Sequence, residues 1–369
     1  MPQYRETPRE SEMLRLLAQG RIDISPLKIV SMDREVARKA RPKDYRPDAE
    51  LVLRWQKKTY RFVVECKAIS TPKEITFAAE AAKRSSNPPR SYPLVVTPYL
   101  PETQLAQLEE QQVSGIDLSG NILVLVPGEI LVSRKGAPNK FPRSGVIKNV
   151  YRKNSSIVAR AFLLTPQFGS LSQIMDEIKA RGGTVTQATV SKVCGSLDQD
   201  LVIERATGKT PRTRTLRLIQ PEKLLELVTT NYATPVISQR LSAKVSLSPE
   251  EFRRGLAEWG RQTGEKAVLT GASSAVEYAV TTPEAVQSFY CSNVESLRKQ
   301  FLTELDDTSR FPTVELLETD DDFVYFDARE NLVASPVQAY LELMRGDKRQ
   351  QETAEQVRNA ILQRLKTKG

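Results

Sequence analysis

Short runs of alternating apolar and polar positions, interleaved with helical periodicity, organise the first 145 residues. Residues 60–69 (YRFVVECKAI) are apolar on both sides except at the far end. Period-two alternation places Phe62, Val64, Cys66 and Ala68 on one face and Val63, Glu65, Lys67 and Ile69 on the other. Residues 48–55 (DAELVLRW) predict a preceding strand, joined to it by the polar turn Gln56-Lys57-Lys58-Thr59. Further strands are expected near residues 28–32, 94–97, 121–126 and 129–133, the last two separated by Pro127-Gly128. Helices are expected at residues 10–19, stopped by Gly20, at 72–83 with a proline at its start, and at 102–112. Residues 1–145 therefore read as an α/β block.

The pattern changes after a Gly-, Pro- and base-rich stretch at residues 134–153, which reads as a linker suited to lie along a phosphate backbone. Residues 155–232 look like a winged helix-turn-helix domain. Helices are expected at 157–164 and 171–181, with a turn at Gly182-Gly183 and a third helix opening at Thr186 and running to Asp198. Residues 201–204 and 215–219 then form a hairpin with the tip ATGKTPRTR. Gln187, Thr189 and Lys192 on the third helix are candidates for base or phosphate contacts, and Arg205, Lys209, Arg212, Arg214 and Arg217 form a basic wing. A protein-binding winged helix is the alternative; five bases between Arg205 and Arg217 with no intervening acid favour DNA.

Residues 236–369 read as a third, mixed α/β region. A helix is expected at 248–262 with Ser248 as its N-cap. Short strands are expected at 267–269, 277–280 and 323–326, and helices at 335–344 and 351–366. Asp320-Asp321-Asp322 suggests either a metal site or an exposed acidic turn, and the turn is the simpler reading. The whole is a multidomain chain of α/β and α+β type, divided at 1–145, 155–232 and 236–369.

The chain of 369 residues contains no histidine, which removes mechanisms with an essential His, His-coordinated zinc and Ser-His-Asp triads. Its three cysteines, Cys66, Cys194 and Cys291, lack C-x-x-C spacing and read as reduced and free of metal. No apolar run approaches membrane-spanning length and the N-terminal residues do not read as a signal peptide, so a cytoplasmic, nucleoid-associated protein is expected. Charge is uneven. Residues 1–235 hold 37 Lys and Arg against 24 Asp and Glu, whereas residues 236–369 hold 17 against 21. The basic part suits a polyanion, most simply double-stranded DNA; the acidic part suits a protein.

The candidate chemistry lies on the first hairpin. Glu65 and Lys67 point the same way, roughly 6.6 Å apart along the strand, and charged groups at the end of a buried strand need partners. If Trp55 pairs with Tyr60, Asp48 lies opposite Lys67 and Glu50 opposite Glu65. The two carboxylates repel unless a divalent cation lies between them. A cross-strand ion pair on a surface hairpin is the alternative. A second E-x-K, Glu177-Ile178-Lys179, lies in the run LSQIMDEIKARG and reads as a solvated helix face. Glu80 and Lys83 either face phosphates or are solvated.

Pro47-Asp48 and Glu65-Cys66-Lys67 resemble the two halves of the PD-(D/E)XK nuclease motif. That resemblance implies catalytic roles for Asp48, Glu65 and Lys67. It also implies a Mg²⁺ or Mn²⁺ site made by Asp48, Glu65 and the Cys66 carbonyl, to which the expected register adds Glu50. Three further motifs, Gly115-Ile116-Asp117-Leu118-Ser119-Gly120-Asn121, residues 269–275 (LTGASSA) and residues 335–341 (SPVQAYL), resemble patterns in the AbiEi-type antitoxins of type IV toxin–antitoxin systems. That family implies a DNA-binding autorepressor paired with a nucleotidyltransferase toxin. Asp117 and Asn121 read more simply as a structural turn. Two expectations stand: a Mg²⁺-dependent endonuclease brought to DNA by its winged helix, or an antitoxin-like regulator whose nuclease-like domain does not cut. A nuclease that nicks one strand per domain needs a homodimer to cut both.

Overall fold

The computed structural model describes residues 7–34, 47–145, 148–207, 214–307, 310–328 and 332–368. The chain divides into two compact units, residues 1–147 with 199–201 and residues 148–198 with 202–369. Both mix helices with sheet.

The first unit is built on seven strands in sequential order: β1 (Lys28–Asp33), β2 (Ala49–Trp55), β3 (Lys58–Cys66), β4 (Tyr92–Thr97), β5 (Ser114–Asp117), β6 (Ile122–Val126) and β7 (Ile130–Arg134). Only β3–β4 and β4–β5 are parallel. Parallel neighbours require crossover connections, and two helices supply them, α2 (Pro72–Ser85) and α3 (Glu102–Glu110). Ile75, Ala78 and Ala79 of α2 and Leu105 and Leu108 of α3 pack with Val95 and Leu123 on one face of the sheet. Alanines at the contact let α2 approach the sheet closely. Gly115 on β5 has the same function under α3, where an added Cβ would lie 2.8 Å from Leu108 Cδ1. The opposite face, carrying Leu51, Phe62, Val64 and Cys66, packs with Met13, Leu14 and Leu17 of α1 (Glu10–Ala18).

The first hairpin differs from its expected register. It turns on Gln56-Lys57 alone, with Trp55 opposite Lys58 and Gln56 at φ +54°. Two-residue hairpin loops favour such left-handed positions because they match the strand twist. The pairing is therefore two residues tighter: Leu53 faces Tyr60, Glu50 faces Val63 and Ala49 faces Val64.

The second unit begins with α4 (Ser156–Leu164), β8 (Gln167–Phe168), α5 (Leu171–Ala180), α6 (Gln187–Gln199), β9 (Ile203–Thr207), β10 (Arg214–Leu218) and α7 (Pro221–Thr230). The strands form an antiparallel sheet in the order β8-β10-β9. Every residue of α4 is buried. There follow β11 (Gln239–Val245), α8 (Pro249–Thr263), β12 (Ala267–Leu269), α9 (Ala272–Ala275), β13 (Gln287–Cys291), α10 (Val294–Gln300), β14 (Leu305–Asp307), β15 (Val314–Glu318), α11 (Pro336–Leu343) and α12 (Lys348–Lys368). These strands form a five-stranded sheet in the order β12-β13-β15-β11-β14. Its core gathers Phe252, Trp259, Phe289 and Phe301. Ser248 caps α8 in a reciprocal pair with Glu251, satisfying two N-terminal N–H groups.

Two strand expectations fail here. Residues 277–280 follow α9 as turn and bend, and residues 323–326 form a 3₁₀ turn. The Asp320–Asp322 segment is tied down by structural partners: Asp321 accepts from Val236 N at 2.9 Å and Lys153 Nζ at 3.3 Å, and Asp322 pairs with Lys266 at 2.7 Å.

The LTGASSA and SPVQAYL motifs meet in one buried polar network. Arg160 of α4, 1 % exposed, donates to Gln338 Oε1 at 2.8 Å and to the Phe323 carbonyl at 3.1 Å, and lies over the Phe323 ring. Gln338 Nε2 donates to Glu342 Oε1 at 2.7 Å and to the Tyr232 hydroxyl at 2.9 Å. Glu342 Oε2 in turn accepts from Thr270 Oγ1 and Gly271 N. Burial pulls the Arg160 guanidinium down to about 10, against the nearby Tyr232 and Glu342.

Candidate metal and nucleic-acid site

Asp48 sits one residue before β2 and Lys67 one residue after β3. Ala49 and Val64 both point into the α1-side core, so alternation directs Asp48 and Glu65 to the other face of the sheet. Glu65 is 1 % exposed and lies beside Val95 across the parallel β3–β4 pair. The Asp48 N–H donates to the Val64 carbonyl at 3.1 Å, and the Cys66 N–H donates to Asp48 Oδ2 at 2.8 Å. The Asp48 carboxylate therefore rests against the peptide that links Glu65 to Cys66. Lys67 N donates to the Val96 carbonyl at 3.0 Å, which fixes the chain as it leaves the strand. Cys66 turns its thiol to the core, where burial, then Asp48 and Glu10, push it far above its ordinary value. The thiol donates to the Glu10 carbonyl at 3.7 Å.

Glu50 belongs to a different environment. The register that placed it opposite Glu65 is corrected: it faces Val63 and pairs with Arg61 at 2.9 Å. Arg61 is well exposed, so the pair is worth about 0.2–1 kcal/mol at most. Glu50→Gln is accordingly expected to leave Mg²⁺ affinity unchanged and stability within about 1 kcal/mol. Titration calorimetry with a thermal melt checks this; a tenfold loss of Mg²⁺ affinity would return Glu50 to the metal.

Residues 48, 65 and 66 offer two carboxylates and a main-chain carbonyl at this end of the hairpin. Among the described residues no group of three or more His, Cys, Asp or Glu side chains converges. Two carboxylates and a carbonyl are hard oxygen donors, and they fit a cation such as Mg²⁺ that keeps several waters and borrows phosphate oxygens.

The candidate DNA contacts fall in the second unit. Thr186 caps α6, its Oγ1 accepting from Thr189 N at 3.2 Å, and the two threonine hydroxyls lie 2.9 Å apart. Thr189 is thus half-buried and occupied, while Gln187 and Lys192 are exposed. Arg217 on β10 pairs with Glu204 at 3.0 Å, and Arg205 lies 3.9 Å from Asp198. The acids that meet these two arginines come from outside the basic run. Arg214 pairs with Thr207 in the β9–β10 hairpin, and Lys209 and Arg212 lie outside the described residues. Of the second E-x-K, Lys179 is exposed as a solvated face requires, whereas Glu177 is half-buried and accepts from Thr165 Oγ1 at 2.8 Å and Arg181 Nε at 2.9 Å. Glu80 and Lys83 on α2 are exposed.

Sequence reasoning missed the role of residues 134–145. They are laced to the first unit rather than strung as a linker: Ala137 N donates to Asn121 Oδ1 at 2.8 Å, and Ser70 N donates to the Ser144 carbonyl at 2.7 Å. Hydrogen-bonding side chains at Asn121 and Ser70 were the available signal. No helix among the described residues is long and apolar enough to cross a membrane. No protein-family model, no curated protein and no solved structure matches the chain.

Proposed function

We propose that the chain is a Mg²⁺-dependent DNA endonuclease whose first unit is a PD-(D/E)XK nuclease-like domain and whose second unit carries a winged helix-turn-helix. The observation that carries this reading is the Asp48 carboxylate set against the Glu65–Cys66 peptide, with Glu65 buried on the same side of the sheet. Two carboxylates and a main-chain carbonyl are hard oxygen donors that suit a hydrated divalent cation. Asp48, Glu65 and the Cys66 carbonyl would hold Mg²⁺, or Mn²⁺ in its place. Bound there, the ion would supply acidification of a water and neutralisation of charge developing on a phosphate. Asp48 and Glu65 supply the negative charge that retains it. Lys67, two residues beyond Glu65, directs its ammonium at the scissile phosphate or the attacking water. In the second unit, Gln187 and Lys192 are exposed near the start of α6; in this reading they contact base edges while the basic residues of the β9–β10 hairpin contact the DNA backbone.

Plasmid nicking in Mg²⁺ tests the catalytic part. Nicking by the wild type that is lost with Lys67→Ala supports it; no nicking with Mg²⁺ or Mn²⁺ contradicts it. For DNA reading, Lys192→Ala is expected to reduce discrimination between a selected site and random duplex by about 1–3 kcal/mol. Arg214→Ala is expected to weaken both alike, reducing the salt slope by about 0.9. Salt titrations on the two duplexes separate these effects, and equal losses in both variants would reject the recognition-helix assignment.

One observation favours a second reading. Asp48 already accepts a main-chain N–H, so it has a structural use independent of any metal. In that reading the domain binds DNA without cutting, as in an AbiEi-like autorepressor, and the acidic residues 236–369 meet a nucleotidyltransferase-type toxin. DNA binding with no nicking under any divalent ion would select it.

A further inference from the structure

The Asp117–Asn121 turn is absorbed by neither reading, yet its carboxylate takes five hydrogen bonds. Asp117 is fully buried. Its Oδ1 accepts from the N–H groups of Ser119, Gly120 and Asn121 at 2.7–2.8 Å. Its Oδ2 accepts from Leu100 N at 2.9 Å and from Asn121 Nδ2 at 2.6 Å. Gly120 holds φ +118°, a conformation that L side chains rarely adopt. Five N–H donors on one carboxylate fix the turn, and the turn presents its remaining acceptors outward.

Three of those acceptors take donors from one segment. Arg134 Nε donates to the Gly120 carbonyl at 2.8 Å, Ala137 N to Asn121 Oδ1 at 2.8 Å and Lys140 N to Ser119 Oγ at 3.3 Å. Phe141 then buries its ring, 4 % exposed. At the far end, the Ser144 carbonyl accepts from Ser70 N at 2.7 Å, and the Ser70 and Ser144 hydroxyls lie 3.3 Å apart. Ser70 is three residues past Lys67, and its Oγ also accepts from Tyr99 N at 3.1 Å. A strap thus runs from the Asp117 turn to the loop that leaves the motif strand. Its sequence, RKGAPNKFPRSG, contains four bases and no acid. Lys140 is exposed midway along it, and four residues of extended chain, about 14 Å at most, separate it from Ser144.

We infer that the Asp117–Asn121 turn is the anchor of a DNA-binding strap, residues 134–145, that holds Lys140 against the phosphate backbone of duplex DNA beside the Lys67 loop. This rests on the nucleic-acid part of the proposed function and not on cleavage. Asn121 and Ser119 act as positioning residues. Lys140 supplies the contact, and the fixed strap presents it without the ordering penalty that a free linker would pay on binding.

The test is a salt titration of duplex binding by the full chain in EDTA, where no strand is cut. Lys140→Ala is expected to reduce the salt slope by about 0.9, one phosphate contact, with melting temperature and Mg²⁺ binding unchanged. Lys140→Arg should restore the slope. Asn121→Ala should weaken duplex binding and open residues 134–145 to limited proteolysis. If that variant fails to fold, the Lys140 pair decides alone. Wild-type affinity and slope in Lys140→Ala overturn the inference. Loss of slope without any nicking by the wild type leaves the strap standing and removes the nuclease. Nicking with an unchanged Lys140→Ala slope does the reverse.

Discussion

Lys67→Ala is expected to lower Mg²⁺-dependent nicking of supercoiled plasmid by about 10²–10³-fold, the typical loss when one preorganised donor to a developing charge is removed. Lys67 lies just past the last residue of β3, and its main chain is held by the Val96 carbonyl. Truncation therefore removes an ammonium without removing a packing element, and the melting temperature should barely move. Asp48 calls for a subtler substitution. Asp48→Ala strips the acceptor from the Cys66 N–H and costs stability of about 1 kcal/mol by that route alone. Asp48→Asn keeps an oxygen for that hydrogen bond and removes the charge. It should therefore lose nicking as fully as Lys67→Ala while melting near the wild type. Gel assays over a Mg²⁺ series, run beside thermal melts, separate the two roles. Wild-type nicking in Asp48→Asn would show that the carboxylate serves the hairpin and not a metal.

The largest stability effect is expected at Arg160. Arg160→Ala should lower the unfolding free energy of the second unit by about 3–5 kcal/mol. Three causes add. A large fully buried side chain is replaced by a small one, Gln338 Oε1 and the Phe323 carbonyl lose their donor, and the face of the Phe323 ring loses its cation. Arg160→Met restores much of the volume and should recover part of the loss, whereas Gln338→Ala in the Arg160→Ala background should cost less than in wild type because the two residues share one network. Urea denaturation of the four proteins gives the coupling energy. A change below about 1 kcal/mol for Arg160→Ala would mean that water replaces the guanidinium.

The sequence made the first unit's strands legible where apolar alternation was long, as in YRFVVEC on β3, and its helices legible where proline marked a start, as at Pro72. It did not reveal the hairpin register. The turn QKKT contains no Gly or Asn, the residues that usually announce a two-residue loop, so Gln56 in a left-handed conformation could not be foreseen. That error put Glu50 opposite Glu65 and Asp48 opposite Lys67; the observed register gives Glu50 to Val63 and brings Asp48 beside Glu65, on the same face because a two-residue shift preserves it. β5 was missed because SGID offers four residues with one large apolar side chain; burial by its neighbours makes it a strand. Residues 323–326 (FVYF) misled in the other direction. An apolar run of four carries no period, and the Tyr325 hydroxyl bonded to the Thr319 carbonyl goes with a turn. Charge counting was partial too. Arg205 and Arg217 look free in sequence because their acids, Asp198 and Glu204, precede the run and meet them only through the fold.

The proposed nuclease requires Asp48, Glu65 and the Cys66 carbonyl to form one metal site. The most direct measurement is a crystal of the protein soaked in Mn²⁺ and recorded at an energy where manganese scatters anomalously. A metal held by these three groups gives one strong peak within about 2.0–2.4 Å of an Asp48 oxygen, a Glu65 oxygen and the Cys66 carbonyl oxygen, absent from Asp48→Asn crystals. A fully occupied peak elsewhere, or none at this site at millimolar Mn²⁺, would contradict it.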